Sequence, residues 1–279
     1  MDVKETEVET STLDFHVLRA GDGDRDALLF HGFPDDAYSM VPLMERLADR
    51  GFTCTAPYMR GYAPTETPPP SPDNYKVTDL ASDVLALRDA VDADEPLYVG
   101  HDWGAVAVTA VARLDPTAGD FVVMSVPPDF PEALDEHPSQ ALRSWYMAAF
   151  QIPGVSEEML RRDDFALIER LWRMWSPNLD AGERVEGVKR TFDRGRTLEA
   201  SLAYYRSFFE EVVAAGDSIR LRGIQAPTLV LAGRSDGCIQ PSMYDESHRC
   251  FDGDHRVETL SGGHFLPVES PDAVVEAIE

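Results

Sequence analysis

The chain has 279 residues, 43% of them hydrophobic, enough to bury a substantial core in one large domain or in a core that carries an insertion. Its 50 acidic residues face 25 basic ones, a formal net charge of −25, and only Lys4, Lys76 and Lys189 are lysines. That balance excludes nucleic acid as a partner, because a phosphate backbone would be repelled. No apolar run approaches the roughly 20 residues that span a bilayer, so no membrane segment is expected.

The start, MDVKETEVET, has neither the basic beginning nor the apolar run of a signal peptide. Cys54, Cys238 and Cys250 are odd in number and lack CxxC spacing, which argues against a disulfide framework and fits a reducing compartment. The expectation is a cytoplasmic protein. Abundant carboxylates with little lysine suit a salt-rich, halophilic cytoplasm, where a Debye length of about 3 Å at 1 M screens self-repulsion.

In chain order, 13–19 (LDFHVLR) and 27–31 (ALLFH) read as strands joined by the GDGD turn at 21–24, an expected antiparallel edge pair. A helix at 40–50 and a strand at 52–56 (FTCTA) follow. Residues 63–72 (APTETPPPSP) hold too much proline for a helix or inner strand and should form a stiff surface loop. Helix 76–92, strand 97–100 (LYVG), helix 103–114 and strand 120–125 (DFVVMS) continue the alternation, and strands 228–232 and 256–260 with helix 271–278 close it. Strands alternating with helices predict βαβ units, an α/β class with a mostly parallel sheet. Between 129 and 222 the β-runs stop, and aromatic helices are expected at 139–151, 164–175 and 198–214. A helical block between two strands reads as a cap over the active site. The core then divides into 1–128 and 223–279, with the cap at 129–222.

The strand LYVG runs into His101-Asp102-Trp103-Gly104-Ala105 and then an apolar helix, giving G-x-D-x-G with glycines at 100 and 104. This is the pattern of a nucleophile elbow, in which small flanking residues permit a strained turn that exposes the central side chain. With aspartate at its centre, such a turn suits displacement at an sp3 carbon and an ester intermediate, whereas serine suits acyl transfer. The plain alternative is that Asp102 only caps the following helix. Hydrolysis of an ester needs a base and a group that orients the base. His264 in SGGHFLP, just past strand 256–260, is the candidate base, because parallel sheets place ligand-facing residues at that end of a strand. Asp236 in LAGRSDG, after strand 228–232, is the candidate orienting acid, with Asp129 as the alternative. Asp102, Asp236 and His264 then follow the nucleophile, acid, histidine order of the α/β-hydrolase fold. His31-Gly32-Phe33-Pro34 lies at the same expected edge, so the backbone N–H groups of Phe33 and Trp103 are the candidate oxyanion hole.

Other patterns carry less. His248, Cys250, Asp252, Asp254 and His255 gather in one loop, yet their spacing fits no zinc or EF-hand site. No phosphate-cradling loop or dinucleotide fingerprint occurs. No metal and no cofactor are expected.

HGFP, the RGY of 60–62, GHDWGA, GRSD and GGHF, in this order and spacing, resemble the epoxide hydrolase and haloalkane dehalogenase branch of the α/β-hydrolases over almost the whole chain. The resemblance implies two cap tyrosines that donate to an epoxide oxygen. Tyr146 in WYMAAFQIPG and Tyr205 in AYYRSF match those positions, with Tyr204 as the alternative to Tyr205. A neutral phenol with pKa near 10 is apt for donating to a developing alkoxide. Haloalkane dehalogenases resemble HGNP at the first loop, where asparagine binds halide, and here that position is Phe33. The expected reaction is therefore opening of a small apolar epoxide by water to a vicinal diol through an ester on Asp102. A haloalkane dehalogenase and a non-catalytic binding protein are the alternatives. The cap aromatics Trp145, Phe150, Trp172, Trp175 and Phe208 predict an apolar pocket, with Trp145, Phe150, Trp172 and Phe208 as the candidates for its lining, and the oligomeric state, monomer or dimer, stays open.

Overall fold

The computed structural model describes residues 2–215 and 222–279. Their framework is a sheet of β1 (Lys4–Glu9), β2 (Asp14–Ala20), β3 (Arg25–Phe30), β4 (Phe52–Pro57), β5 (Leu97–His101), β6 (Asp120–Met124), β7 (Thr228–Gly233) and β8 (His255–Leu260), ordered β1-β2-β4-β3-β5-β6-β7-β8. The pairs β1–β2 and β2–β4 are antiparallel, and every pair from β4 to β8 is parallel. LYVGH and TLVLAG, the sequences of β5 and β7, are buried at every residue, as strands covered on both faces must be. The crossovers place α1 (Val41–Ala48) on one face, where α11 (Pro271–Ile278) packs against it. They place α2 (Val77–Ala90) and α3 (Trp103–Leu114) together on the other. The parallel strands all end at one edge, so the residues following β3, β5, β6, β7 and β8 converge there.

The expected pairing of 13–19 with 27–31 is corrected, because β4 lies between β2 and β3. The GDGD segment explains why. It passes so close over the start of β4 that a Cβ on Gly21 would come within 2.2 Å of the Phe52 carbonyl oxygen, and one on Gly23 within 1.9 Å of that of Gly51. These glycines let the chain cross a strand end instead of closing a hairpin. The edge is β1, which has no counterpart in the sequence expectations. KETEVE is charged or threonine apart from Val8, and a strand that only borders solvent carries no apolar signature.

Between β6 and β7 the described residues form six helices, α4 (Phe130–Glu136), α5 (Gln140–Arg143), α6 (Trp145–Ala149), α7 (Val155–Trp175), α8 (Gly182–Phe192) and α9 (Thr197–Ala215), and one isolated β-bridge, from Ile224 to Phe251. The helix expected at 139–151 is two short ones divided at Ser144. The one expected at 164–175 is the second half of α7, which breaks at 162–165 where Asp163, Asp164 and Phe165 take left-handed φ of 50, 56 and 56°. The expected block 129–222 includes 216–221, which lie outside the described residues. Specific bonds fasten the insertion over the strand ends. Trp172 Nε1 donates to the Pro34 carbonyl at 2.7 Å, the Tyr204 hydroxyl to the Arg60 carbonyl at 2.7 Å, and Thr191 to Asp36 at 2.7 Å, where Arg184 also pairs. Arg60 is itself held by Asp83 through two bonds of 2.7 Å. Among the described residues no helix is long and apolar enough to cross a membrane, and no three metal-binding groups cluster.

Candidate active site

Asp102 sits between the last residue of β5 and the first of α3 with φ 52° and ψ −114°, a backbone state that L-residues avoid. The flanking glycines make it attainable. A Cβ at Gly104 would lie 2.1 Å from the Phe30 carbonyl oxygen, and one at Gly100 would lie 2.4 Å from that of Gly104. The turn holds the Asp102 carboxylate above the strand edge, 6% exposed.

His264 Nδ1 donates to Asp236 Oδ2 at 2.9 Å, and His264 Nε2 lies 3.7 Å from Asp102 Oδ2, longer than a hydrogen bond. Asp236 is fixed in turn, its Oδ1 accepting from the amides of Cys238 at 2.6 Å and Ile239 at 2.9 Å. The imidazole is fully buried, which disfavours its charge. The carboxylates of Asp236 and Asp102 outweigh that and raise its pKa to about 10. Asp129 is not part of the group: its oxygens accept from Ser247 at 3.1 Å and Arg249 at 2.9 Å.

The Phe33 amide donates to Asp102 Oδ1 at 2.7 Å. A Cβ on Gly32 would fall 2.3 Å from Asp102 Cβ, so glycine is required where the loop crosses the carboxylate. Trp103 opens α3, and its N–H is among the first-turn donors that a helix cannot satisfy internally. Behind the loop, His31 Nδ1 donates to the Gly32 carbonyl at 3.0 Å and Nε2 accepts from the Met59 amide at 3.1 Å. That pattern needs a neutral ring, and burial lowers the pKa of His31 to about 4.

Across from the carboxylate, Asp102, Trp103, Tyr146 and Tyr205 border one cavity of about 610 Å³ whose remaining wall, including Val106, Pro127, Phe130 and Phe208, is mainly apolar. The Tyr205 ring stands edge-on to Phe33 at 5.2 Å and Trp103 at 5.1 Å, and its hydroxyl has no partner among the described residues. The Tyr146 hydroxyl lies 3.3 Å from Cys238 Sγ. Burial holds both phenols well above pKa 10, so both stay protonated. Tyr204 is not an alternative to Tyr205, since its hydroxyl is spent on the Arg60 carbonyl.

Residues 28–271 match the sequence pattern of the alpha/beta hydrolase fold. The chain belongs to that family. Among its α/β-hydrolase relatives, epoxide hydrolase A of Mycobacterium tuberculosis is 29% identical over 97% of this chain and 94% of its own length. Human epoxide hydrolase 4 is 28% identical over 97% of this chain and 76% of its own. The crystal structure of epoxide hydrolase A from Mycobacterium thermoresistibile superposes with a TM-score of 0.81 at 27% identity, covering 99% of this chain and 97% of that one.

Within this α/β-hydrolase frame three expected pocket residues are corrected. Trp172 is buried in the joint between insertion and core, stacked on Phe265 at 3.7 Å. Phe150 is buried behind the cavity wall, against Phe33, Tyr146 and Tyr205. Trp145 is 39% exposed on the outer surface: successive helical residues diverge by about 100°, so with Tyr146 turned inward its neighbour turns out. Trp175 likewise does not line the cavity and packs edge-on to His264 at 5.1 Å, its carbonyl accepting from the His264 amide at 3.1 Å. Of the four candidates only Phe208 borders the cavity.

Two residues that hold the histidine carry little sequence signal. The His264 carbonyl accepts from His101 Nε2 at 2.9 Å and from Ser125 Oγ at 2.6 Å, which fixes the backbone from which the imidazole projects. His101 flanks Asp102 in GHDWGA, and that adjacency was the available clue; Ser125 had none beyond its place after β6.

Proposed function

We propose that the protein is an epoxide hydrolase that opens an apolar epoxide to a vicinal diol through an ester on Asp102, with residues 129–222 acting as the cap and the cytoplasm as its setting. The observation that carries this reading is the facing arrangement of a carboxylate and two protonated phenols around one mainly apolar cavity. The names of the relatives agree with it.

An Asp102 oxygen attacks an epoxide carbon, and the electron pair of the broken C–O bond goes to the ring oxygen, which takes a proton from Tyr146 or Tyr205. Esterification removes the negative charge of Asp102, one of the two carboxylates that keep His264 protonated. The imidazolium can then return a proton to the phenolate and become a neutral base. His264 Nε2, without a hydrogen-bond partner among the described residues, takes a proton from water as the water attacks the ester carbonyl. The Phe33 and Trp103 amides stabilise the oxyanion. Collapse passes the histidine proton to the departing diol. The carboxylic acid regenerated on Asp102 returns a proton to His264, restoring the starting state.

Phe33 argues against a dehalogenase, because its ring is buried among Phe150, Phe192 and Tyr205 and offers a leaving halide no polar side-chain atom. The test is a panel of apolar epoxides and bromoalkanes given to wild type and Asp102→Ala in molar KCl, with diol and halide measured. Diol from wild type alone is expected. Halide release without diol, or diol formation that survives the substitution, contradicts the proposal.

A further inference from the structure

The two phenols at the cavity are not equivalent. Tyr205 has only the Trp103 ring beside its hydroxyl and no partner at hydrogen-bonding geometry among the described residues, whereas Tyr146 Oη is 3.3 Å from Cys238 Sγ, the one hydrogen-bond contact of either atom there. Cys238 is fully buried and anchored through its backbone. Its amide donates to Asp236 Oδ1 at 2.6 Å, and its carbonyl accepts from Gln140 Nε2 at 2.7 Å. The sulfur is therefore held by the same turn that holds the acid of His264.

Resting on the epoxide hydrolase reading, we propose that Cys238 is a positioning residue for Tyr146, its S–H donating to Oη so that the phenol proton is aimed at the epoxide oxygen. A phenol has one proton. If Tyr146 donated to sulfur, that proton would be turned away from the cavity. With sulfur as donor, the only hydrogen-bonding direction left for the O–H is towards the substrate. The thiol keeps the proton this requires, because burial and the nearby Asp236 push its pKa well above 9. As the epoxide opens, the O–H proton of Tyr146 passes to the ring oxygen, and the S–H bond then meets the negative charge left on Oη. Hydrogen bonds to charged groups are stronger than neutral ones, so the contact tightens during the step it assists. No electron leaves sulfur, and the thiol is unchanged at the end of the cycle.

The experiment is single-turnover kinetics that separates ester formation from ester hydrolysis, on wild type, Cys238→Ala and Cys238→Ser, each also in a Tyr146→Phe background. Thermal melting checks that every variant is folded. Cys238→Ala is expected to slow ester formation about tenfold, the scale of one hydrogen bond that gains charge. Hydrolysis should hold within about twofold. Cys238→Ser, which restores a donor, should recover most of the loss, and in the Tyr146→Phe background Cys238→Ala should change nothing. An equal loss in both backgrounds, a serine variant no better than alanine, or a slowing of hydrolysis alone overturns the proposal, the last by assigning Cys238 to Asp236 instead. Wild type that forms neither ester nor diol would refute the epoxide hydrolase reading itself, a distinct outcome.

Discussion

Replacing Asp236 with asparagine alters one atom, and the surroundings dictate how the new side chain must sit. Oδ1 accepts two backbone amides, at 2.6 and 2.9 Å, so the asparagine carbonyl has to take that place. Its NH2 group then points at His264 Nδ1, which donates to Oδ2 at 2.9 Å in the native site. Two donors cannot face each other, so the imidazole proton moves to Nε2, the nitrogen that takes a proton from water in the proposed mechanism. The charge goes as well. The rise of His264 to about 10 corresponds to about 5 kcal/mol in favour of its protonated form, and Asp236 is the leading carboxylate behind it. A wrong tautomer with an uncharged partner is expected to slow ester hydrolysis by about 10⁴-fold, the order known for loss of the orienting carboxylate in a serine–histidine–aspartate triad. Ester formation needs no base and should change by less than about tenfold. Rapid-quench kinetics with intact-mass detection should show nearly every molecule carrying one epoxide mass during turnover. Equal slowing of both steps, or turnover without accumulated ester, would refute the reasoning.

Tyr204→Phe should leave the Arg60 carbonyl buried without its donor, costing about 1 to 3 kcal/mol of stability in urea melts while kcat/KM stays within about twofold. Stability should fall on both sides of about pH 6.5, measured as melting temperature across pH 4 to 10. Below it, His31 and His101, which burial lowers to about 4 and about 3, stay neutral in the fold while the unfolded chain gains protons. Above it, the folded state holds the His264 proton up to about 10 while the unfolded chain releases it near 6.5. Asp35, which burial raises to about 7, opposes the acid-side loss between about pH 4 and 7, and so do Asp26, Asp83 and Glu211, whose carboxyls burial also raises, so the fall on the acid side should be the shallower of the two. With a net charge of −25, the melting temperature should also climb from low salt to molar KCl, and a flat or falling curve would remove the case for salt adaptation.

Much of the site was legible because the chemistry forces rare local patterns. A strained residue at Asp102 needs glycine at 100 and 104, and a sheet with parallel strands sends the residues after β5, β7 and β8 to one edge. Strand positions were readable for the same reason: buried parallel strands are continuous apolar runs. What escaped depended on contacts without a sequence signature. β1 is polar because it only borders solvent, and the place of β4 between β2 and β3 depends on two glycines crossing a strand end. The aromatic insertion misled for a physical reason as well. Trp172 and Phe150 have the composition of pocket residues, but an insertion fastened to a core needs an apolar joint, and most of its large rings are there.

The central claim is the ester on Asp102, and trapping it is the direct measurement. His264→Gln removes the proposed base but leaves Asp102 and both phenols. Incubated with an epoxide that the wild type converts to diol, this variant should gain one epoxide mass per chain. Digestion and fragmentation should then locate that mass on Asp102. A variant that gains no mass while the wild type makes diol, or an adduct on any other residue, would contradict covalent catalysis by Asp102.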